Sequence, residues 1–272
     1  METNEARTWF QWLAAALCVC SCSPGTAESP VVRANEHDSG ADGSAEPPLE
    51  DPLDEEGEPG HDACPIDRGY DPKIDPAMFV ATIDNPFFPL RPGTTFRYKE
   101  GVDKTVEVTV TPEKKTILGV SCTVVHDVVR ENGEVIEDTF DWYAQDASGA
   151  VWYFGEDTKE YEGGVVVSTE GSWQAGLDGA KAGLIMPANP AVGDRWRQEY
   201  YACHAEDEAT LVSSDASVTV PAGTFSGCRT TRDTTRLDPA VLEEKYYCPG
   251  FGVVLAIDLA TGEREALLSR EP

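Results

Sequence analysis

The sequence predicts a mainly all-β protein: one curved antiparallel sheet, a half-barrel or open barrel, behind a disordered acidic N-terminal tether. Three observations predict it. Short runs of β-branched and aromatic residues recur from about residue 95 to the C-terminus, several in strict alternation, with tight-turn residues between them. The same region carries no long helical period. Residues 23–75 have a composition that cannot build a core.

The N-terminus reads as a processing segment. Arg7 precedes an apolar run from Trp9 through Val19, broken only by Gln11, and cysteines follow at 18, 20 and 22. The run is too short to span a bilayer as a helix and fits the apolar part of a secretory signal over residues 1–21. The cysteines resemble a bacterial lipobox. Cys22 fits best as the lipidated residue, with Val19, Cys20 and Ser21 before it, and Cys20 is second choice. An ordinary cleaved signal and a secreted protein is the other reading. Ser23 resembles the sorting position of Gram-negative lipoproteins and implies delivery to the outer membrane, with the periplasm as the wider setting.

Residues 22–75 form the expected tether. Positions 23–75 hold fifteen acids against Arg33, Arg68 and Lys73, a net of −12. Like charges extend such a segment. It lacks calcium-loop spacing.

A single β-rich domain is expected over residues 76–272. Asp84–Leu90 reads as a packed loop and Pro92-Gly93 as a turn. Val106, Val108 and Val110 alternate with polar residues, the mark of a half-buried strand. Asn132-Gly133 is a hairpin signal. Beyond it Ile136, Phe140 and Trp142 share one face, expected to be the core face, while Glu137, Thr139 and Asp141 share the solvent face. Strands are expected at 151–154, 165–167, 196–201, 216–220, 225–231, 244–247, 251–257 and 265–268. Pro239 suggests a short helical turn over 238–245. The Gly- and Ala-rich stretch 170–194 should cover the sheet or hang from its edge.

Composition excludes several functions. The chain has 272 residues and a net charge of −28, which repels nucleic acid and anionic headgroups. No phosphate loop, nucleophile elbow or zinc spacing is present, and no cofactor is expected. With Cys22 lipidated, Cys64, Cys122, Cys203, Cys228 and Cys248 remain. Cys228 with Cys248 is the favoured disulfide, Cys64 with Cys203 the second, and Cys122 a buried thiol.

Several stretches resemble a family of uncharacterised bacterial envelope proteins. They are Asp84–Leu90, Asp141–Asp146 (DWYAQD), Val151–Thr158 (VWYFGEDT), Gly171–Ala180 (GSWQAGLDGA), Gln198–Tyr201 and Lys245–Gly250. The resemblance implies an envelope location and no particular activity. Pro190–Trp196 and Tyr246–Val254 are similar, more distantly, to half-barrel lipoprotein carriers. That likeness implies a curved sheet around an apolar ligand.

The expected function is therefore a non-enzymatic binding or carrier module, anchored to the membrane by lipid, with an apolar small molecule or lipid as partner and a monomeric state. Trp142, Phe154 and Trp196 are the candidate ligand residues. Asp138 joins them because parity turns it toward the core, where a carboxylate needs a partner such as Arg195, Arg197, Arg229, Arg232 or Lys245. A bulge near it would remove the anomaly. A glycan hydrolase using Asp141 and Glu156 beside aromatic rings is the runner-up. A purely structural lipoprotein is the third reading.

Overall fold

The computed structural model describes residues 67–272. The proposed signal, the Cys22 anchor and most of the tether lie outside the described residues. Among the described residues the chain is almost wholly antiparallel sheet, with one 3-10 turn at Pro76–Met78. The strands are β1 (Phe79–Val80), β2 (Thr95–Glu100), β3 (Lys104–Ile117), β4 (Val120–Glu131), β5 (Glu134–Asp146), β6 (Val151–Glu162), β7 (Val165–Ser168) and β8 (Trp173–Gln174). They continue as β9 (Gly183–Met186), β10 (Arg195–Arg197), β11 (Asp207–Val220), β12 (Gly223–Thr235), β13 (Leu242–Cys248), β14 (Gly252–Asp258) and β15 (Arg264–Glu271).

The ladder runs β10-β11-β12-β13-β14-β15-β2-β3-β4-β5-β6-β7 and does not close into a ring. Its curvature follows from one side chain. Tyr143 on β5 and Tyr247 on β13 are six ladder steps apart, about 29 Å in a flat sheet. Yet the Phe88 ring lies 5.3 Å from Tyr143 and 6.4 Å from Tyr247. The sheet therefore curls around the 84–90 loop, which plugs its inner face. Phe96, Tyr98, Val108, Val125 and Val253 surround the plug, leaving an apolar cavity of about 40 Å³.

Local chemistry explains the hairpins. Asn132 and Gly133 have φ of 53° and 87°, the left-handed pair that a two-residue turn needs between twisted strands. At the next turn the Asp146 carboxylate accepts from the Ser148 amide and hydroxyl and from the Trp152 indole. The stretch 170–194 hangs from the sheet edge: β9, β8 and β7 pair in turn with successive parts of β6. Near the two ends of the ladder, Gly183 passes Gln198 so closely that a Cβ would fall 2.1 Å from its carbonyl oxygen.

Four sequence expectations change. The helical turn over 238–245 is a bend at Pro239-Ala240 leading into β13, because Leu242–Cys248 has paired neighbours on both sides. The strand at 196–201 stops at Arg197, where the chain turns back to β11. Among the described residues, contacts with the domain are already made before Pro76: Asp67 pairs with Arg197 at 2.8 Å, and the Tyr70 hydroxyl donates to the Ala182 carbonyl.

The fourth change is the facing of β5. Thr139, Asp141 and Tyr143 are buried on the inner face with Val125, whereas Phe140 is half-buried outside. Asp138 also points outward, where it pairs with His126 at 2.9 Å, and the imidazole stacks on Phe140. None of the proposed arginine or lysine partners meets it. A register irregularity falls beside it, between the Val129–Glu137 and Arg130–Val135 pairs. Apolar alternation identified two faces correctly but assigned the inside to the wrong one, because the outer face of β5 is itself covered.

Candidate binding cleft and the buried carboxylates beneath it

The inner face carries an unusual load of acids. Residues opposed across a ladder share a face. Register therefore places Glu156 beside Asp141, and Glu100 beside both Glu265 and Lys104. Glu265 opposes Ala256, which in turn opposes Lys245. Asp127, Asp141, Glu156, Glu199 and Glu265 are all buried. Two buried lysines lie among them: Lys245, 3.1 Å from both Asp233 and Glu243, and Lys104, 3.4 Å from Glu100.

Burial pushes the Asp141 carboxyl up to about 8, against the Tyr153 hydroxyl that donates to it at 2.6 Å. Burial also drives Glu156 well above the carboxylate range, with the Asp141 charge adding to the shift. Asp127 and Glu265 move the same way, burial first and neighbouring carboxylates second. Neither Glu265 oxygen finds a hydrogen-bond donor among the described residues. Burial works against the Lys245 ammonium, but Glu243 and Asp233 more than offset it and raise its pKa. Burial therefore favours the neutral form of these acids in the folded protein.

A β-bulge links this interior to the outside. Between the Asp141–Glu156 and Tyr143–Tyr153 pairs, β5 advances two residues and β6 three. The extra residue lies at Phe154-Gly155, and Gly155 has φ of 127°. A Cβ there would meet the Trp173 carbonyl oxygen at 2.2 Å, so the glycine lets β8 lie against β6. Trp173 then packs edge-on to Tyr153 and donates from its indole to Glu199 at 3.1 Å.

On the outer side, Trp142, Trp173 and Tyr201 bound a cleft of about 330 Å³ with Lys115, Asp157 and Asp178. Glu156, Ser172, Gln174, Leu177 and Ala180 complete it. The Lys115 ammonium sits 3.1 Å from the centre of the Trp142 ring. At the rim Lys159 pairs with Asp157 at 3.1 Å. Four of the stretches that carry the envelope-family resemblance meet here. DWYAQD supplies Trp142, VWYFGEDT supplies Glu156 and Asp157, the Gly171–Ala180 stretch supplies most of one wall, and Gln198–Tyr201 ends in Tyr201.

The structure unites some predicted site residues and separates others. Asp141 and Glu156 are cross-strand neighbours, but only Glu156 reaches the cleft and Asp141 is fully buried. Trp142 lies in the cleft. Phe154 is fully buried, edge-on to Phe79. Trp196 lies in a different hollow with Tyr70, Arg195, Arg197 and Arg236. The three aromatic candidates therefore do not line one groove, and Asp138 lies with His126 instead. Lys115, Gln174, Asp178 and Tyr201 were not anticipated as site residues. Lys115 had no local signal, since only the fold brings β3 over Trp142.

Cys228 and Cys248 are disulfide-bonded. Cys203 is also in a disulfide, while Cys64, its expected partner, lies outside the described residues. Cys122 is a buried free thiol, and burial pushes it up to about 12, so it is inert at neutral pH. Among the described residues no His, Cys, Asp and Glu cluster has metal-binding geometry. No helix among them is long and apolar enough to cross a membrane.

No protein-family model matches the chain, and no curated protein matches it. Among solved structures, one similar chain is described as a putative lipoprotein from Parabacteroides distasonis. The two share 13% identity at a TM-score of 0.39, over 69% of this chain and 99% of the other.

Proposed function

We propose that this protein is a cell-envelope lipoprotein acting as a non-enzymatic binding module, and that its ligand occupies the outer cleft at Trp142. One observation carries the reading: the contrast between the filled apolar interior and the open cleft at Trp142. The apolar interior leaves about 40 Å³, far below the ~300 Å³ at which ordinary ligand sites begin. The Trp142 cleft, at about 330 Å³, meets that size, as does the hollow of about 620 Å³ at Trp196. The Trp142 cleft is favoured because three aromatic side chains, Trp142, Trp173 and Tyr201, meet there with polar and charged groups. The ligand is thus small and amphipathic rather than a lipid chain held inside the sheet. Anchoring at Cys22 rests on the apolar run and cysteine cluster of the N-terminus.

The hydrolase reading has less support, because catalysis by Asp141 and Glu156 requires both to face the substrate, and Asp141 is sealed inside. A thermal-shift screen of amines, neutral sugars, fatty acids and phospholipids tests the proposal. A ligand present at a hundredfold its Kd stabilises the fold by about 2.7 kcal/mol. A shift that Asp178→Asn or Tyr201→Ala reduces supports the cleft. A shift by fatty acids that neither variant alters moves the site to the interior and overturns it.

A further inference from the structure

Lys115 is more than a wall of the cleft. Its ammonium lies over the Trp142 ring at 3.1 Å and makes no ion pair within 4 Å among the described residues. Asp157 is the carboxylate whose charge acts on it, and that carboxylate is already engaged by Lys159. Lys115 is half-buried on β3, beyond the register irregularity that separates Val110 from Lys114. The cleft thus holds an ammonium group by the face of a tryptophan, with Asp157 and Asp178 around it but not bonded to it.

That is the chemistry by which proteins recognise amines. Cations bind over tryptophan faces, and more strongly when partly stripped of water. Burial lowers the Lys115 pKa, which marks such partial stripping. An ammonium that has given up water without gaining a carboxylate is cheaply exchanged for another. The whole chain, at −28, concentrates cations and repels anions.

We infer that the Trp142 cleft binds an organic amine, and that the Lys115 side chain is an internal stand-in which the ligand's ammonium group displaces. This rests on the reading of the cleft as the binding site and adds the chemical class of the ligand. A free polyamine and an ethanolamine headgroup share that chemistry. Asp178, which forms no ion pair among the described residues, supplies the complementary charge, while Gln174 and Ser172 supply polar contacts for the rest of the molecule.

The test is calorimetric titration of the full chain with putrescine, ethanolamine, phosphatidylethanolamine vesicles and methyl glucoside, for wild type and Lys115→Ala. Removing the competitor should tighten amine binding by about tenfold. Asp178→Asn should weaken it, and methyl glucoside should not bind. Binding of vesicles but not of the free amines would assign the source to a headgroup, and the reverse to a soluble amine. Amine binding that is equal or weaker in Lys115→Ala overturns the stand-in role. Binding of methyl glucoside but of no amine overturns the amine class and leaves the cleft as the binding site. No binding by any probe to either protein overturns both.

Discussion

Replacing Asp141 by Asn should make the protein markedly less sensitive to pH. The carboxyl is sealed on the inner face and pushed from the usual 3.8 up to about 8. Below pH 3.8 the folded and unfolded chains both hold the proton. As pH rises further the unfolded chain releases it first, so stability falls by about 1.4 kcal/mol per pH unit until the folded group also ionises near pH 8. By pH 7 the accumulated loss is about 4 kcal/mol. Asn cannot ionise, and its oxygen can still accept from the Tyr153 hydroxyl. The variant should therefore gain several kcal/mol on wild type between pH 4.5 and 7.5. Urea unfolding followed by tryptophan fluorescence at both pH values measures this. Glu113→Gln, at an exposed position of β3, controls for the change in net charge. Parallel pH curves for wild type and Asp141→Asn would refute the buried, protonated carboxyl.

Other outcomes follow from single features. Gly155→Ala should cost about 3 kcal/mol, since its backbone is left-handed and a Cβ collides with Trp173; thermal melting reads the loss. Reducing the Cys228–Cys248 bond, which closes a loop of 20 residues, should cost about 3 kcal/mol in denaturant titrations. Tyr70→Ala should cost about 1–3 kcal/mol because the ring is largely enclosed against Tyr200; an unchanged melt would mean that the chain before Pro76 contributes nothing to the domain. Metabolic labelling with a fatty-acid probe should mark the natural protein and not Cys22→Ser.

The fold class was legible because sheet and turn chemistry are local. Asn132-Gly133 fixes its hairpin by backbone sterics alone, and Val106, Val108 and Val110 alternate as a half-buried strand must. The Cys228–Cys248 pair was legible for a similar reason, since both cysteines sit on neighbouring strands joined by a short excursion. The facing of β5 was not legible. Ile136, Phe140 and Trp142 look like a core face, but His126 stacks on Phe140 and Lys115 lies over Trp142 from outside, while Thr139, Asp141 and Tyr143 face in. Periodicity reports that two faces differ, not which one closes on the interior. Asp138 was misread for the same cause. The bulge that brings Glu156 beside Asp141 was also invisible, because one extra residue leaves no mark in a run as uniform as Val151–Thr158. The cleft could be glimpsed only in part: its aromatic stretches stood out, but Lys115 comes from a distant strand.

Native mass spectrometry of the protein purified gently from its own host tests the binding-module reading most directly. The account predicts a retained small molecule, with the mass of an amine-bearing compound, that is lost or reduced in Asp178→Asn while the variant stays folded. A retained fatty acid or phospholipid that survives in Asp178→Asn would contradict it, and would return the ligand to the inner face of the sheet.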